Sequence, residues 1–364
     1  MPVDKKTRDL RIIVTGGAGF IGSSLVRYII NSTECSVLNI DILTYAANVN
    51  SLATIENSPK YQFLRADIRD ADAMTKAFFE FQPDAIIHLA AESHVDRSID
   101  GPATFLSTNV NGTYVLLESA LTYWRNLDRT LKDRFRFLHV STDEVFGSLE
   151  DKGLFCEDTP YRPNSPYAAS KAAADHFVRA WGKTYGLPVL SSNCSNNYGP
   201  FQYPEKLIPL TVLNALHDRP IPVYGNGINV RDWLYVEDHA RALWTIVTSA
   251  QPGENFNVGG NAELQNIDLI NRLCDILDDC LRRKDGSSYR KLITFVADRP
   301  GHDLRYAIDA SLIKERLDWK PQVDLDQGLK RTVLWYLDNT SWWEPIVKDN
   351  YAGERLGLGR TPST

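Results

Sequence analysis

Features that mark secreted, metal-binding and membrane proteins are scarce in this sequence of 364 residues. The five cysteines are odd in number and contain no C-x-x-C pair, and the seven histidines form neither H-x-x-x-H nor H-E-x-x-H. A disulfide scaffold and a recognisable zinc site are therefore not expected, and we predict no bound metal. This use of cysteine is typical of the reducing cytoplasm.

Long apolar runs and an excess of positive charge are missing as well. The sequence has no uncharged apolar stretch of about 18 residues, so no membrane-spanning segment or signal peptide is expected. The net charge of −6 argues against a protein that coats nucleic acid, although it leaves room for a local basic pocket that binds one phosphate group. We expect a soluble protein that acts in the cytoplasm.

What the sequence does contain is an alternation of short apolar runs with longer amphipathic segments. The short runs indicate buried strands and the longer segments indicate helices, so the chain is predicted to form right-handed βαβ units. The expected fold class is α/β, with a Rossmann-type doubly wound parallel sheet. The predicted strands are 11–15, 37–41, 61–66, 85–90, 135–141 and 189–192, and the predicted helices are 20–30, 72–81, 102–124 and 167–185.

A glycine-rich turn follows the first predicted strand directly. The run TGGAGFIG (15–22) contains G-x-G-x-x-G and opens a helix, an arrangement that lets the backbone approach a pyrophosphate at a helix N-terminus. Asp41 ends the second strand, nineteen residues past Gly22, where an acid accepts hydrogen bonds from ribose hydroxyls and repels a 2′-phosphate. NAD is therefore favoured over NADP. A glycine turn beside a solvated aspartate is the structural alternative.

Two later strand ends fit the same cofactor. Asp67 and Ile68 follow the third strand and can contact adenine, and small residues after the fourth strand can lie against a nucleotide. Small residues at a strand end also arise from close packing alone, so only the combination indicates a cofactor site. The NAD contacts predicted on these grounds are Gly16, Gly19, Gly22, Asp41, Asp67, Ile68, Leu89, Ala90 and Ala91.

After about residue 195 the pattern changes. Prolines cluster and short strands are predicted at 221–224 and 256–258, which indicates a smaller α/β substrate-binding domain that forms the wall of a cleft. Beyond Trp342 we expect little regular structure. The predicted division is 10–195, mainly the NAD-binding Rossmann domain; 196–345, mainly the substrate-binding domain, with some chain crossing back to the Rossmann sheet; and 346–364, a C-terminal tail.

Tyr167 and Lys171 form Tyr-x-x-x-Lys on one face of a predicted helix. A free phenol has a pKa of about 10, and a nearby ammonium favours the phenolate, so we predict that Lys171 lowers the pKa of Tyr167. The pair can then remove a hydroxyl proton while a hydride leaves the same carbon. Taken alone, the motif is more often a surface pair, but its place after the fifth strand favours catalysis.

Thr142, Asp143 and Glu144 lie at the carboxyl end of the fifth strand, where open parallel sheets place their ligand crevice. Thr142 can hydrogen-bond the substrate oxygen that Tyr167 deprotonates. Elimination of water needs one group that takes a carbon-bound proton and another that protonates the leaving hydroxyl. Asp143 and Glu144 can divide these roles if their environments separate their pKa values. A capping aspartate followed by an exposed glutamate explains the motif equally well when it is taken alone.

On these residues the chain resembles the extended short-chain dehydrogenase/reductase superfamily and, within it, the dTDP-glucose 4,6-dehydratase family. The resemblance extends over most of the chain, and its motifs are more specific than a Rossmann fingerprint. The stretches that carry it are TGGAGFIG (15–22), LAAESHVDRSI (89–99), STDEVFG (141–147), SPYAASKA (165–172), NCSNNYGP (193–200), PEKLIPL (204–210), VRDWLYVEDHARA (230–242) and DRPGHDLRYAID (298–309).

The resemblance implies a lyase that converts dTDP-glucose into dTDP-4-keto-6-deoxyglucose and water. NAD would accept a hydride from C4 of the glucosyl group, with Tyr167 as base and with Thr142 and Lys171 assisting. Glu144 would remove the C5 proton while Asp143 protonates the departing C6 hydroxyl. The hydride would then return to C6.

The resemblance also implies contacts for residues that carry little signal of their own. Lys206, Arg231 and Arg299 are suited to a diphosphate because they are cationic. A homodimer is implied, through the helices around 102–124 and 167–185. The implied substrate contacts are Ser93, Thr142, Asn196, Lys206, Leu207, Tyr224, Arg231, Asn266, Arg299 and His302, and the further cofactor contacts are Phe20, Ile21, Thr108, Tyr167, Lys171 and Asn197.

Two features depart from the family pattern. Phe146 stands where the family usually has tyrosine, which removes a hydroxyl but leaves the predicted catalytic groups in place. The segment 148–162 is shorter than in many relatives. The remaining prominent side chains are interpreted as structural: His88, His139, His176 and Cys194 as core or helix residues, and Trp335, Tyr336, Trp342 and Trp343 as core or interface.

Three rival functions remain at this stage. A nucleotide-sugar 4-epimerase would share the glycine turn, Tyr167 and Lys171 but has no use for adjacent Asp143 and Glu144. A dehydratase that acts on a UDP- or GDP-sugar differs only in the base that it binds. A dinucleotide-sensing protein without chemistry would not need a base, a charge partner and an acid pair together.

Overall fold

Seven parallel strands form the central sheet of the computed structural model, which describes residues 9–349. The sheet order is β10-β6-β5-β4-β1-β2-β3, and every neighbouring pair is parallel, so the predicted Rossmann-type α/β fold is confirmed. In chain order, the strands are β1 (Arg11–Thr15), β2 (Ser36–Asp41), β3 (Tyr61–Arg65), β4 (Ala85–His88), β5 (Arg136–Thr142), β6 (Val189–Cys194), β7 (Asn196–Tyr198), β8 (Ile221–Tyr224), β9 (Val230–Tyr235), β10 (Asn255–Val258), β11 (Glu263–Gln265) and β12 (Ile293–Val296).

Helices cover both faces of this sheet. Successive side chains of a strand point to opposite faces, so Ile12 and Val14 belong to one hydrophobic core and Ile13 belongs to the other. The α-helices are α1 (Phe20–Ser32), α2 (Ala71–Phe81), α3 (Val95–Asp100), α4 (Pro102–Phe105), α5 (Thr113–Arg125), α6 (Arg129–Arg134), α7 (Pro166–Tyr185), α8 (Leu207–Leu216), α9 (Val236–Ser249), α10 (Asn266–Cys280), α11 (Ser311–Leu317), α12 (Leu325–Asp338) and α13 (Thr340–Asp349). Among them, none has the length and apolar content needed to span a bilayer.

Helix α7 begins and ends where its sequence dictates. The hydroxyl of Ser165 accepts a hydrogen bond from the backbone N–H of Ala168 at 3.0 Å, which satisfies one unpaired donor of the first turn. Pro166 occupies the first helical turn, and Gly186 ends the helix with a φ of 75°. These signals fix the start of α7, and with it the position of Tyr167.

The helix predicted at 102–124 is interrupted. Helix α4 is followed by a π-helical segment, Leu106–Gly112, and only then does α5 continue the α-helix. A π-helix shifts the hydrogen-bond pattern by one residue, but a stretch this short does not alter the helical sequence pattern visibly, so the sequence predicts one continuous helix instead. Such segments are frequent at functional sites.

The second part of the chain has its own smaller sheets and core. Strands β11, β9 and β7 form a three-stranded sheet, and β12 pairs with β8. Their core also takes in side chains from α8, α10, α12 and α13. The strand predicted at 256–258 does not belong here, because β10 pairs with β6 at the edge of the central sheet.

The prediction of little structure beyond Trp342 is wrong for residues up to 349. Trp342, Trp343 and Ile346 lie on one face of α13 and are buried in the core of the second part. This burial stabilises a short helix that contains Pro345. Residues 350–364 of the predicted tail lie outside the described part of the chain. The aromatic stripe at 335–343 belongs to this core, as expected.

We predict that Trp342→Ala destabilises the folded protein. The indole is 7% exposed, its Nε1 donates to the Ser51 hydroxyl at 3.1 Å, and its ring lies 5.2 Å from that of Trp335. Truncation of a buried aromatic leaves a cavity and costs about 3–5 kcal/mol. Urea unfolding measures this loss. The exposed Glu344→Ala on the same helix is the control, and equal stability of the two variants would show that α13 is not packed as described.

Candidate active site

The glycine turn is shaped by close contacts between strand ends. Gly16 has a φ of 74°, and a Cβ there would lie 2.7 Å from the backbone of Ala90, at the end of β4. A Cβ on Gly22 would lie 2.1 Å from the carbonyl oxygen of Gly16. Neither position tolerates a side chain. The turn therefore brings bare backbone and the N-terminus of α1 to the crevice beside β4, as a pyrophosphate site requires.

Asp41 ends β2 and faces this crevice from the other side. One carboxylate oxygen accepts the Ala18 N–H at 3.0 Å and the other accepts the Leu43 N–H at 2.8 Å. Burial raises the pKa of Asp41, and these two hydrogen bonds oppose that effect. Each oxygen keeps a lone pair for a further donor, so the carboxylate fits the two hydroxyls of an adenosine ribose.

A single cavity of about 440 Å³ runs from the glycine turn to the end of β5. Its volume is in the range of small-molecule and cofactor sites. The structure brings together in it every predicted cofactor contact, every predicted catalytic residue and four predicted substrate contacts. The predicted residues that line it are Gly16, Gly19, Phe20, Ile21, Gly22, Asp41, Asp67, Ile68, Leu89, Ala90, Ala91, Ser93, Thr108, Thr142, Asp143, Glu144, Tyr167, Lys171, Asn196, Asn197 and Lys206.

Asp143 and Glu144 form a short 3-10 turn directly after β5. The Thr142 hydroxyl accepts the Glu144 N–H at 3.3 Å and donates to Asp143 Oδ1 at the same distance. Asp143 Oδ2 is buried and has no hydrogen-bond partner among residues 9–349. An orphaned carboxyl oxygen beside a cavity is available to a ligand.

The two carboxyl groups differ in their surroundings. Burial and the neighbouring Glu144 raise the pKa of Asp143 well above its usual range, and Asp232 adds to this effect. Burial also raises the pKa of Glu144, but the cations Arg299, Arg231 and Lys206 oppose it. The neutral carboxyl is thus favoured on Asp143 and the carboxylate on Glu144, which is the separation that an acid and a base require.

The expectation that Lys171 lowers the pKa of Tyr167 is not confirmed, because the pKa of Tyr167 is raised in the folded protein. Tyr167 is 8% exposed, and burial followed by the Glu144 charge raises its pKa well above the usual range, while a hydrogen bond with Thr142 lowers it. The Lys171 ammonium donates to the Val140 carbonyl at 2.9 Å. Loss of hydration therefore outweighs the charge of Lys171 in this site. That balance depends on tertiary burial, which the motif does not encode.

Six predicted substrate contacts do not line the cavity: Leu207, Tyr224, Arg231, Asn266, Arg299 and His302. Leu207 begins α8 and Asn266 begins α10. The Tyr224 hydroxyl and Arg299 both donate to Asp96, at 3.1 and 2.9 Å. Arg231 is buried and donates to the Asp303 carbonyl at 3.0 Å, and His302 pairs with Asp298. The charges of Arg231 and Arg299 nevertheless act on Glu144, so these side chains lie just beyond the cavity wall.

Two residues at the site, Asn109 and Glu205, were not predicted from the sequence. Asn109, in the π-helical segment, donates to the Glu92 carbonyl at 2.9 Å and to the Ser170 hydroxyl at 2.8 Å, and so joins the strand-end loop to α7. Glu205 lines the cavity, is buried, and pairs with Arg97 at 2.9 Å. No local signal marks either residue, because the partners of each lie far apart in sequence.

The departures from the family pattern lie beside α7. Phe146 is buried and packs on Phe155 and Tyr161, with ring centroids 5.2 and 5.3 Å away. Phe155 pairs with the strand-like segment at 305–309, where its N–H donates to the Ala307 carbonyl at 2.9 Å. The segment 148–162 is therefore tied to the second part of the chain.

Together the strand order, the glycine turn and the buried Tyr-x-x-x-Lys pair define the class of protein: an extended short-chain dehydrogenase/reductase. The model of the family described as GDP-mannose 4,6 dehydratase matches residues 13–332. A probable dTDP-glucose 4,6-dehydratase of Sinorhizobium fredii is 61% identical over 349 residues, which cover 96% of this chain and 99% of that protein. The chain belongs to the dTDP-glucose 4,6-dehydratase family.

Two further relatives have the same description. The dTDP-glucose 4,6-dehydratase 1 of Escherichia coli (strain K12) is 55% identical, over 95% of this chain and 100% of that protein. The crystal structure of a dTDP-glucose 4,6-dehydratase of Streptomyces venezuelae, with NAD bound, is similar with a TM-score of 0.85 and 44% identity, over 93% of this chain and all of that chain.

We predict that Asp143→Asn makes the protein more stable at pH 8. The folded state raises the pKa of Asp143, so ionisation favours the unfolded chain once the pH exceeds the ordinary carboxyl pKa. Asparagine removes this penalty and therefore raises the free energy of unfolding at pH 8. The gain should vanish below about pH 4, where the carboxyl is protonated in both states.

Urea unfolding at both pH values measures this difference. Asp279→Asn, at an exposed position, is the control and should leave stability unchanged at either pH. A loss of stability in Asp143→Asn at pH 8, or a gain of the same size at low pH, would contradict the assigned environment of Asp143.

Proposed function

We propose that this chain converts dTDP-glucose into dTDP-4-keto-6-deoxyglucose and water, as an NAD-dependent nucleotide-sugar 4,6-dehydratase. The observation that carries the proposal is the buried pair Asp143 and Glu144, which lies beside Tyr167 and whose two carboxyl groups are held in different electrostatic environments. An oxidation at one carbon needs one base. An elimination at the neighbouring carbons needs a base and an acid in addition, and the site contains all three.

NAD fits the cavity, since the bare backbone at Gly16 and Gly22 suits its pyrophosphate and Asp41 suits its ribose. When bound, NAD supplies the oxidant for C4 and the hydride that later reduces C6. Asp67, Ile68, Thr108 and Asn197 would hold the rest of the dinucleotide.

The protons are moved by side chains of this chain. Tyr167 takes the proton of the C4 hydroxyl, and Thr142 stabilises the phenolate that this step requires. The resulting ketone makes the C5 proton acidic, and Glu144 removes it as the C6–O bond breaks. Asp143 gives its proton to the leaving hydroxyl, which departs as water. Glu144 returns a proton to C5 when C6 is reduced. The cycle closes when Tyr167 releases to solvent the proton that it took from the C4 hydroxyl and Asp143 takes one up from solvent, so the atoms balance.

Lys206, with Arg231 and Arg299 behind it, supplies positive charge at the outer end of the cavity, where we place the diphosphate. Ser93 and Asn196 line the same end and are the proposed sugar contacts. Leu207, Tyr224, Asn266 and His302 lie beyond the cavity wall and are the remaining proposed contacts of the nucleotide sugar.

We predict two isotope results. With dTDP-glucose that carries deuterium at C4, the label appears at C6 of the product. With unlabelled substrate in heavy water, one deuterium enters at C5, because the proton on Glu144 exchanges with solvent. Mass spectrometry and proton NMR of the product measure both. Asp143→Asn is the matched variant, and it should slow the elimination far more than the first hydride transfer.

The alternatives give different results. A 4-epimerase inverts C4 and leaves C5 unexchanged, and a sensing protein returns the substrate untouched. Turnover of UDP-glucose in place of dTDP-glucose would assign the dehydration to another nucleotide sugar.

We further propose that residues 10–195 mainly hold the dinucleotide and that 196–345 mainly hold the nucleotide sugar. This division is supported by the separate core of the second part. We place the enzyme in the cytoplasm because none of the five cysteines, which all lie within residues 9–349, forms a disulfide, and cell fractionation tests that placement.

A homodimer through α5 and α7 is also proposed. Large apolar side chains are exposed along these helices and the segment before them: Leu106 is 61% exposed, Tyr114 43% and Phe177 38%. We predict that Leu106→Asp combined with Phe177→Asp yields monomers by sedimentation equilibrium, whereas the wild type sediments with twice the chain mass. The control is Leu131→Asp, an exposed apolar position on α6. A monomeric wild type would contradict the proposal.

A further inference from the structure

Lys171 is a buried cation without a direct carboxylate partner. Its side chain is 4% exposed and its ammonium donates to the Val140 carbonyl at 2.9 Å. Its next neighbour is Nε2 of His139, 3.5 Å away. A buried charge is costly unless an opposite charge lies close to it.

Asp175 provides that opposite charge from the next turn of α7. Its Oδ1 lies 3.0 Å from the same His139 Nε2. Its Oδ2 accepts the Ser141 hydroxyl at 2.7 Å and the Tyr161 hydroxyl at 3.0 Å. With donors on both oxygens, the position of the carboxylate is fixed.

The position of His139 settles how these groups are connected. Its Nε2 must carry hydrogen, because otherwise two acceptors would face each other at 3.0 Å across the contact with Asp175. Its Nδ1 has no hydrogen-bond partner among residues 9–349, so the ring is the neutral Nε2–H tautomer. His139 thus donates to Asp175 and holds the carboxylate next to the ammonium.

We propose that Asp175 is a positioning residue that, held by His139, supplies the counter-charge of Lys171 and so keeps a cation beside Tyr167. This inference rests on the proposed function and deepens it. Asp175, which does not line the cavity, would maintain the positive charge of Lys171, which acts within the cavity.

The other titratable groups around Lys171 are neutral. His88, on β4, is fully buried and its pKa is lowered well below the usual range. Burial lowers the pKa of His139, on β5, and raises that of Cys194, on β6, to about 12. Burial also raises the pKa of Tyr167, on α7, above its usual range. Asp175 is thus the carboxylate that acts on this ammonium.

The pH profile of kcat tests the proposal. Asp175→Asn keeps the shape of the side chain but removes the charge, which lowers the pKa of Lys171. The alkaline limb of the profile should move to lower pH by about 1 unit or more, while KM changes little. A side chain that only packs α7 against β5 would lower kcat equally at every pH. An unshifted limb would therefore overturn the proposal.

Tyr161→Phe is the matched control. It removes one hydrogen bond from Asp175 and leaves the charge in place, so its alkaline limb should stay where the wild type has it. A shift as large as that of Asp175→Asn would show that the hydrogen-bond network, not the charge, sets the profile, and would overturn the proposal.

A measurement without substrate separates this proposal from the proposed function. Lys171→Met should lower the melting temperature, because it leaves the Asp175 carboxylate buried without the positive charge of the Lys171 ammonium nearby. Adding Asp175→Asn to Lys171→Met should recover several degrees. If the second change instead lowers the melting temperature further, Asp175 is not the counter-charge of Lys171, whatever reaction the protein catalyses.

Discussion

The burial of two neighbouring carboxyl groups at the end of β5 is the constraint on which the rest of the site depends. Two carboxylates cannot both stay ionised in a poorly hydrated space, so one of them must be favoured by its surroundings. Arg231, Arg299 and Lys206 make that choice, since their charges act on Glu144 and oppose its protonation. All three cations come from the second part of the chain. The electrostatic difference between Asp143 and Glu144 therefore depends on side chains from both parts of the chain.

The central sheet positions the other groups that line the cavity. Parallel strands end at one edge, so the glycine turn after β1, the small residues after β4 and the Thr142 hydroxyl of β5 converge without long loops. Helix α7 then crosses the same edge, with its start fixed by the Ser165 cap. The π-helical segment adds Asn109, which joins α7 to the loop after β4. The site is thus built on ends of rigid elements.

Much of this could be predicted from the sequence, because strand alternation, the glycine turn and the Tyr-x-x-x-Lys pair are local patterns. The π-helical segment could not, since one π-helical stretch within a helix is too short to leave a hydrophobic pattern of its own. The burial of α13 depends on a core that includes residues more than a hundred positions away, such as Tyr198 and Ile208. The pKa of Tyr167 was predicted in the wrong direction because a motif encodes which charges are near and not how much water is lost. The cations facing Glu144 were predicted as substrate contacts, and their effect on the acid pair is visible only in three dimensions.

The charges around Tyr167 bear on the proposed order of the chemistry. The Glu144 carboxylate raises the pKa of the phenol, so a phenolate and that carboxylate are an unfavourable pair. In the proposed reaction, Tyr167 becomes neutral when it takes the C4 proton, and this removes the repulsion between the two bases. The oxidation that accompanies this step makes the C5 proton acidic, and only then can Glu144 remove it. In this proposal the order of oxidation before elimination follows from the acidity of the C5 proton, and the relief of repulsion favours the first step.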